Sequence, residues 1–402
     1  MDETFFGLPS DVKFCTRCVI SNQRPRSTVE FKNSATDSKE TIEFDDSGVC
    51  EACRFHDTKD KGIDWAEREK QLMELCDRYR KPTGYDVVVP GSGGKDSAFT
   101  SHILKEKYGM NPLTVTWAPH LYTDIGWENF SNWIQIGGLD NLLFTPNGKL
   151  HRYLTKEAFN NLLHPFQPFI VGQRIIGPLI AKRFNIDLVM YGENQAEYGN
   201  SASENSSPLM NEKFFTVSQH SDIKLGGKTI KQHLDSTSFT IKDFEPYLPI
   251  NNSGDSSVAE VHYLGYYLKW DPQECFYYAV ENTGFKPNPN RTEGTYSKYS
   301  SIDDKIDPFH YYTTYIKFGL GRASYDAAQE VRNEKITREE AVSLVEQFDS
   351  EFPQKYFSDF LSYIDINETE FRNKIDQNRS PHLWRKDSDG KWSIKHAVWL
   401  DK

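Results

Sequence analysis

The stretch Tyr85-Asp-Val-Val-Val-Pro-Gly-Ser-Gly-Gly-Lys-Asp-Ser97 leaves this chain few folds to choose from. Val87 to Val89 is an apolar, β-branched run of the kind that fills a buried parallel strand. Gly91, Ser92, Gly93 and Gly94 then give a turn that can visit positive φ and let a ligand approach the backbone. From Ser97 onward Phe99, Ile103, Leu104 and Tyr108 recur at helical spacing, so a helix begins there. Strand, glycine loop and helix start together offer free N–H groups and the positive end of a helix dipole to an anion, usually phosphate. A plain strand-to-helix turn would explain one or two of these glycines, but not the whole run. Neither Gly-x-x-x-x-Gly-Lys-Ser/Thr nor Gly-x-Gly-x-x-Gly is present.

Ser92-Gly-Gly-Lys-Asp-Ser97 resembles, at all six positions, the PP-loop of the ATP pyrophosphatase superfamily, Ser-Gly-Gly-x-Asp-Ser/Thr. The resemblance implies a loop that holds the pyrophosphate leaving when ATP adenylates a carbonyl oxygen. Ser92, Gly93, Gly94 and Ser97 would cradle phosphate, Lys95 would add positive charge and Asp96 would hold Mg2+.

The surrounding sequence predicts the matching architecture. Strands at Leu113–Trp117, Asn141–Thr145 and Ile186–Tyr191 alternate with helices over 124–139, 152–163 and 168–184. That alternation implies a doubly wound parallel sheet, whose ligands bind beyond the carboxyl ends of its strands. In the first of these helices Ile125, Phe130, Trp133, Ile134 and Ile136 are expected in the core. After Tyr191 come Glu193, Asn194, Gln195 and Glu197, read equally well as binding residues or as a helix start capped by Asn194. Arg174, in Gly172-Gln-Arg174, could reach an anion or simply face solvent.

Cys15-Thr-Arg-Cys18 and Cys50-Glu-Ala-Cys53 are separated by 31 residues. Two Cys-x-x-Cys knuckles in a segment too polar for its own core suit a structural four-cysteine zinc site. A redox or iron–sulfur role and unpaired structural cysteines are the competing readings. His56 is expected on the surface, because four cysteines already fill a tetrahedral shell. Asp45-Asp-Ser-Gly-Val-Cys50 reads as a turn into the second knuckle, and a helix with Leu72, Leu75, Cys76 and Tyr79 on one face follows over 65–80.

The 402 residues carry a net charge of −11, which argues against broad nucleic-acid binding but leaves room for a local basic groove. Neither a signal peptide nor an apolar run of membrane-spanning length is visible, so a cytoplasmic enzyme without membrane contact is expected.

Residues 199–257 are rich in Ser, Asn, Lys and Asp and read as a long insertion. Val261 to Trp270 reads as an aromatic route into the core, and Asp271 as the cap of a helix that buries Cys275 as an inert thiol. Asp303, Asp304, Asp307 and His310 lie in one tyrosine-rich stretch before Lys317-Phe-Gly-Leu-Gly-Arg322, whose glycine-spaced cations suit a phosphate or carboxylate site at least as well as a solvated face. Thr337 with Glu340 forms a capping box for a C-terminal helix.

Taken in order, the two knuckles, Val-Pro-Gly-Ser-Gly-Gly-Lys-Asp-Ser, Tyr-Gly-Glu-Asn, Ile-Asp-Asp-Lys-Ile-Asp and Ile-Lys-Phe-Gly-Leu-Gly-Arg resemble the N-acetyl sugar amidotransferases of bacterial surface-polysaccharide and lipopolysaccharide biosynthesis. The resemblance implies an α/β fold of the adenine nucleotide alpha-hydrolase-like type with a zinc module (1–62), a PP-loop domain (63–330) and a helical C-terminal region (331–402). It also implies an ATP-dependent conversion of a sugar acetamido group to an acetamidino group, the sugar being nucleotide-linked. Charge and placement make Lys317 and Arg322 candidates for stabilising α-phosphate charge, and Glu193 or Asp304 for orienting ammonia or a second Mg2+. Residue 2 is Asp2, and neither Cys76 nor Cys275 sits in a nucleophile turn, so a separate glutaminase subunit is expected to supply ammonia. The competing functions are a PP-loop tRNA-modifying enzyme of thiolation or lysidine type and a non-catalytic nucleotide-binding zinc scaffold.

Overall fold

A computed structural model describes residues 3–193, 207–251 and 258–400. The cysteine segment leads into α1 (Glu51–Lys61) and α2 (Trp65–Tyr79). The sheet region follows as β1 (Val87–Pro90), α3 (Lys95–Glu106), β2 (Pro112–Trp117), α4 (Asp124–Gln135), β3 (Asp140–Phe144), α5 (Gly148–Leu162), α6 (Gln167–Phe184) and β4 (Leu188–Tyr191). Residues 207–251 carry the two-residue strands β5 (Thr216–Val217), β6 (Lys224–Leu225), β7 (Lys228–Thr229) and β8 (Ile250–Asn251) with the short helices α7 (Ile230–Ser236) and α8 (Ile241–Phe244). Then come β9 (Glu260–Tyr263), α9 (Leu264–Tyr267) and α10 (Pro272–Thr283). The rest is mostly helical: α11 (Asp307–Phe318), α12 (Arg322–Arg332), α13 (Arg338–Phe348), α14 (Phe357–Ile364) and α15 (Glu368–Gln377), with a terminal hairpin of β10 (Trp384–Lys386) and β11 (Trp392–Ile394).

The main sheet runs β3-β2-β1-β4-β9 and every pair in it is parallel. Side chains alternate across it as a pleat requires. Val88 and Val189 join one core layer with α5 and α6, while Val87, Val89, Leu188 and Met190 join the other with α2 and α9. Both faces are therefore covered, which is why the strands read as unbroken apolar runs. Helix α6 lies flat on the sheet because it has no side chain at two contacts: a Cβ on Gly172 would sit 2.1 Å from the Trp117 ring, and one on Gly177 would sit 2.6 Å from Pro90.

The chain winds outward from β1 to β3 and then returns to the other side of β1 to place β4. The order reverses between β1 and β4, and a crevice opens at such a switch point. The Ser92–Ser97 loop leaves β1 there and Gly192-Glu193 leaves β4.

Three expectations need correction. Val261–Tyr263 belongs to the fifth parallel strand, not just to an aromatic route into the core. Helix α4 ends at Gln135, so Ile136 falls beyond it and is 58% exposed. His56 is buried, because the second knuckle continues directly into α1, which packs inward. Asn194, Gln195 and Glu197 lie outside the described residues.

Candidate functional site

The four cysteines converge. Their sulfurs all lie within 4.8 Å of one another, with Cys15–Cys53 at 3.9 Å and Cys18–Cys50 at 3.8 Å, and all four are buried. Metal–sulfur bonds of about 2.3 Å give a tetrahedron with edges of about 3.8 Å, so the donor set fits one zinc ion. The N–H groups of Arg17, Cys18 and Cys50 point at Cys15 Sγ at 3.4, 3.5 and 3.4 Å, which would stabilise a thiolate there. Asp45 Oδ1 accepts from the N–H of Ser47 and of Val49, shaping the turn that presents Cys50. Arg338 of α13 donates to the carbonyls of Cys15 and Cys18 and fastens the cluster to the C-terminal helices.

At the switch point, Gly94 caps α3 with extended backbone, leaving the N–H groups of the first helical turn directed at the loop. Gly93 has φ +84°, and a Cβ on it would lie 2.8 Å from Phe130 Cα, so this position requires glycine. Lys95 Nζ bonds Asp96 Oδ2 at 2.6 Å, while Asp96 Oδ1 is buried without a hydrogen-bond partner. Such an orphaned carboxylate oxygen is the natural ligand of a cation. Burial, and then the nearby Asp96, push the Glu193 carboxyl up to about 7 against the pull of Lys95 and Arg174. Two carboxylates that cannot comfortably ionise together make a divalent-cation seat. Burial also opposes the charge on Lys95, but Asp96 and Glu193 more than offset it.

Cavities of about 510, 180 and 230 Å³ meet around this loop. Lys95 and Asp96 line the largest together with Arg174, Glu193, Lys317 and Arg322. Ser92, Gly93 and Gly94 line the second, and Ser92, Gly94 and Ser97 the third. Ser97 Oγ donates to the Gly94 carbonyl at 3.1 Å. Arg322 is paired with Asp326 at 3.0 Å and with the Tyr311 hydroxyl, and it lines the first two cavities. Arg174, which the sequence left undecided, stacks over Phe214 and has a buried guanidinium nitrogen without a partner.

Asp304 faces away from the cavities. Its Oδ2 accepts from His120 N and lies 2.7 Å from His120 Nδ1, and its Oδ1 accepts from Leu121 N and Ile306 N. It clamps the loop after β2 to the start of α11. Asp303 is the carboxylate that reaches the second cavity, where it is hydrogen-bonded to Ser92. The segment is paired like a strand through Tyr122 and Asp304, so adjacent side chains point opposite ways. Lys317 is buried and donates to the Leu162 carbonyl at 3.1 Å. The charges that perturb it are Lys39 and Glu30, while those that perturb Lys95 are Asp96, Cys275 and Glu193, so Lys317 stands at the other end of the large cavity.

Residues 293–398 match the family model of LPS biosynthesis protein WbpG-like, C-terminal domain. This WbpG-like region supplies Asp303, Lys317 and Arg322, and its match agrees with the surface-polysaccharide resemblance of the whole sequence. No curated protein matches the chain. Among solved structures, the NH3-dependent NAD synthetase of Campylobacter jejuni is 17% identical over 35% of this chain and 59% of its own, with a TM-score of 0.26. The U34-tRNA thiolase of Methanococcus maripaludis, solved with its 4Fe-4S cluster, is 13% identical over 78% of this chain and 88% of its own, at 0.32. The NMN synthetase of Francisella tularensis is 11% identical over 68% and 94%, at 0.30. At these scores the strand order of the chain itself defines the fold.

Proposed function

We propose that this protein is an ATP-dependent, AMP-forming enzyme of surface-polysaccharide biosynthesis that turns a sugar acetamido group into an acetamidino group. The observation that carries the reading is the loop Ser92–Ser97 at the sheet's switch point, with the orphaned Asp96 oxygen beside Glu193 in one cavity. The WbpG-like match supports the pathway class.

An amide is a poor electrophile, because resonance puts its electrons on oxygen and leaves no good leaving group. The amide oxygen attacks the α-phosphorus of ATP, the bond to the β-phosphate oxygen breaks and pyrophosphate leaves. Ammonia then adds to the activated carbon, the carbon–oxygen bond breaks and AMP departs with the original amide oxygen. Ser92, Gly93, Gly94, Ser97 and Lys95 hold the pyrophosphate by fixed N–H groups and charge, and the Ser92 and Ser97 hydroxyls join by turning from Asp303 and the Gly94 carbonyl. Asp96 with Glu193 would hold Mg2+, which when bound offsets charge on the departing group. Arg322, kept charged by Asp326 against the cost of burial, lines the cavities beside the loop and would stabilise charge on the α-phosphate. Asp303 takes the place assigned to Asp304 and orients ammonia.

Ammonia comes from a separate glutaminase. Burial pushes the Cys76 thiol up to about 11 and raises Cys275 well above its ordinary value, while the other four cysteines form the metal cluster. A thiol so shifted is a poor nucleophile.

The test is AMP and pyrophosphate release with ATP, ammonia and a panel of nucleotide-linked acetamido sugars. Asp96→Ala should abolish turnover, at least a thousandfold, with an unchanged circular dichroism spectrum. Substantial turnover in that variant would remove the PP-loop assignment, and use of glutamine by the purified chain would remove the separate glutaminase.

A further inference from the structure

The end of the large cavity away from the PP-loop is not used by the steps above. It is walled on one side by residues 24–39, the segment between the two cysteine pairs, and on the other by α6 and α11. Lys39, His164, His310 and Lys317 gather there around Glu30, and Asp37 acts on Lys39 from outside the cavity lining. His164 Nε2 stands 3.5 Å from Glu30 Oε2, and the His164 and His310 rings stack at 4.9 Å. Lys39 Nζ donates to Asn33 Oδ1 at 2.6 Å and Lys317 Nζ to the Leu162 carbonyl. Those acceptors are neutral and leave further ammonium protons directed elsewhere. His310 Nδ1 is buried with no partner.

We infer that this end of the cavity is a second anion site, built jointly by the inter-cysteine segment and α11, that takes a phosphate or diphosphate group of the acceptor substrate. It rests on the amidotransferase reading only for the name of that substrate; the anion site stands on its own geometry.

Four basic side chains against Glu30, with Asp37 acting on Lys39 alone, leave basic groups in excess in a largely buried cavity wall. The bases record it. Burial lowers Lys39, His164 and His310; burial followed by repulsion from Lys39 brings Lys317 down to about 7. Glu30, by contrast, is held ionised at about 2: burial opposes this, but His164 and Lys39 overcome it. A dianion entering beside Lys317 would restore the charge of that ammonium group. The hydroxyls on the same wall are already committed, Thr28 donating to Glu30 at 3.2 Å and Thr314 to the His310 carbonyl at 2.9 Å, so the bases alone face an anion. The ligand anion would thus be gripped at one end while its far end extends toward Lys95 and Asp96.

The experiment titrates UDP, and separately inorganic pyrophosphate, into full-length metal-loaded protein whose PP-loop is saturated with a non-hydrolysable ATP analogue. UDP is expected to bind, with affinity falling as salt rises and with proton uptake at pH 7.5 as Lys317 recharges. Lys39→Met should weaken binding at least tenfold and Lys39→Arg should restore most of it. Lys317→Met should remove the proton uptake. Comparable binding of pyrophosphate would show that the site reads the diphosphate alone, and preference for UDP that it also reads the nucleoside. Absence of binding by both, or UDP affinity unchanged in Lys39→Met, overturns the inference. Failure of the ATP analogue to bind would instead strike the PP-loop reading, and UDP titration of wild type against Lys39→Met still decides the anion site.

Discussion

Glu193 is held at a protonation boundary. Its carboxyl ionises at about 7 in the folded protein, against an ordinary value near 4.5, because burial and Asp96 both disfavour the charge. Between those pH values the folded chain keeps a proton that the unfolded chain has released, so this group's contribution to stability falls as pH rises through that window and stays reduced above 7. Glu193→Gln cannot ionise. Its melting temperature should therefore gain on wild type from pH 5 to pH 7.5 in metal-free buffer, while ATP turnover falls at least a hundredfold. Melts that stay parallel across that range would show Glu193 to be ordinarily solvated. The pair Asp303 and Asp304 makes the complementary contrast. Asp304→Ala leaves His120 and three backbone N–H groups without their acceptor and should destabilise the fold by about 3–5 kcal/mol, as loss of one partner of a buried pair does. Asp303→Asn should melt within about 1 kcal/mol of wild type and lose turnover, since it faces a cavity. Denaturant titration with steady-state kinetics separates the two. The sequence displays three acids together but not the parity of the strand-like pairing that turns one inward, so it pointed to the wrong neighbour.

The glycine loop was legible because every local signal agreed: β-branched strand, glycines, then helical spacing. Its conformational demand can be separated from its chemical one. Gly93 and Gly84 share φ +84°, but a Cβ at Gly93 meets the Phe130 backbone whereas Gly84 has open space around it. Gly84→Ala should cost about 1–2 kcal/mol of stability, the strain of a left-handed residue, and leave ATP turnover intact. Gly93→Ala carries that strain plus the clash, and should displace the loop and reduce turnover more than tenfold. Equal turnover in the two variants would mean that the loop's position does not govern the reaction. Other elements were less legible for definite reasons. β9 follows a polar insertion and its Val261-His262-Tyr263 lacks the apolar run of β1, so only its pairing with β4 reveals it. The apolar spacing predicts a helix to Leu139, four residues past its end at Gln135, because Ile136 and Leu139 continue that spacing across the Gly137-Gly138 turn.

At the scale of the molecule, the cysteine cluster and the large cavity are mechanically one unit. Cys15, Cys18, Cys50 and Cys53 share a core with Ala327 and Ala328 of α12 and Ala341 and Val345 of α13, while the residues between the knuckles form the cavity wall that carries Glu30 and Lys39. Spacing alone identified the ligand set, but nothing in the spacing says that the segment it ties down faces Ser92–Ser97 across a cavity. Four buried sulfurs less than 5 Å apart gain stability from a shared ion, added to a small apolar cluster of Val19, Ile20, Ile42 and Ala52 around them. Stripping the metal with a strong chelator, or Cys18→Ser, should lower the melting temperature by about 5 °C or more, in step with loss of one zinc per chain by elemental analysis. The effect should be unequal along the cavity. UDP affinity should drop at least tenfold, because Lys39 is placed by the loop between the knuckles. Binding of the ATP analogue should change less than threefold, because Ser92 to Ser97 is held by β1 and α3. A parallel loss of both ligands would mean that the metal supports the whole fold, and retention of both would mean that the wall stands without it.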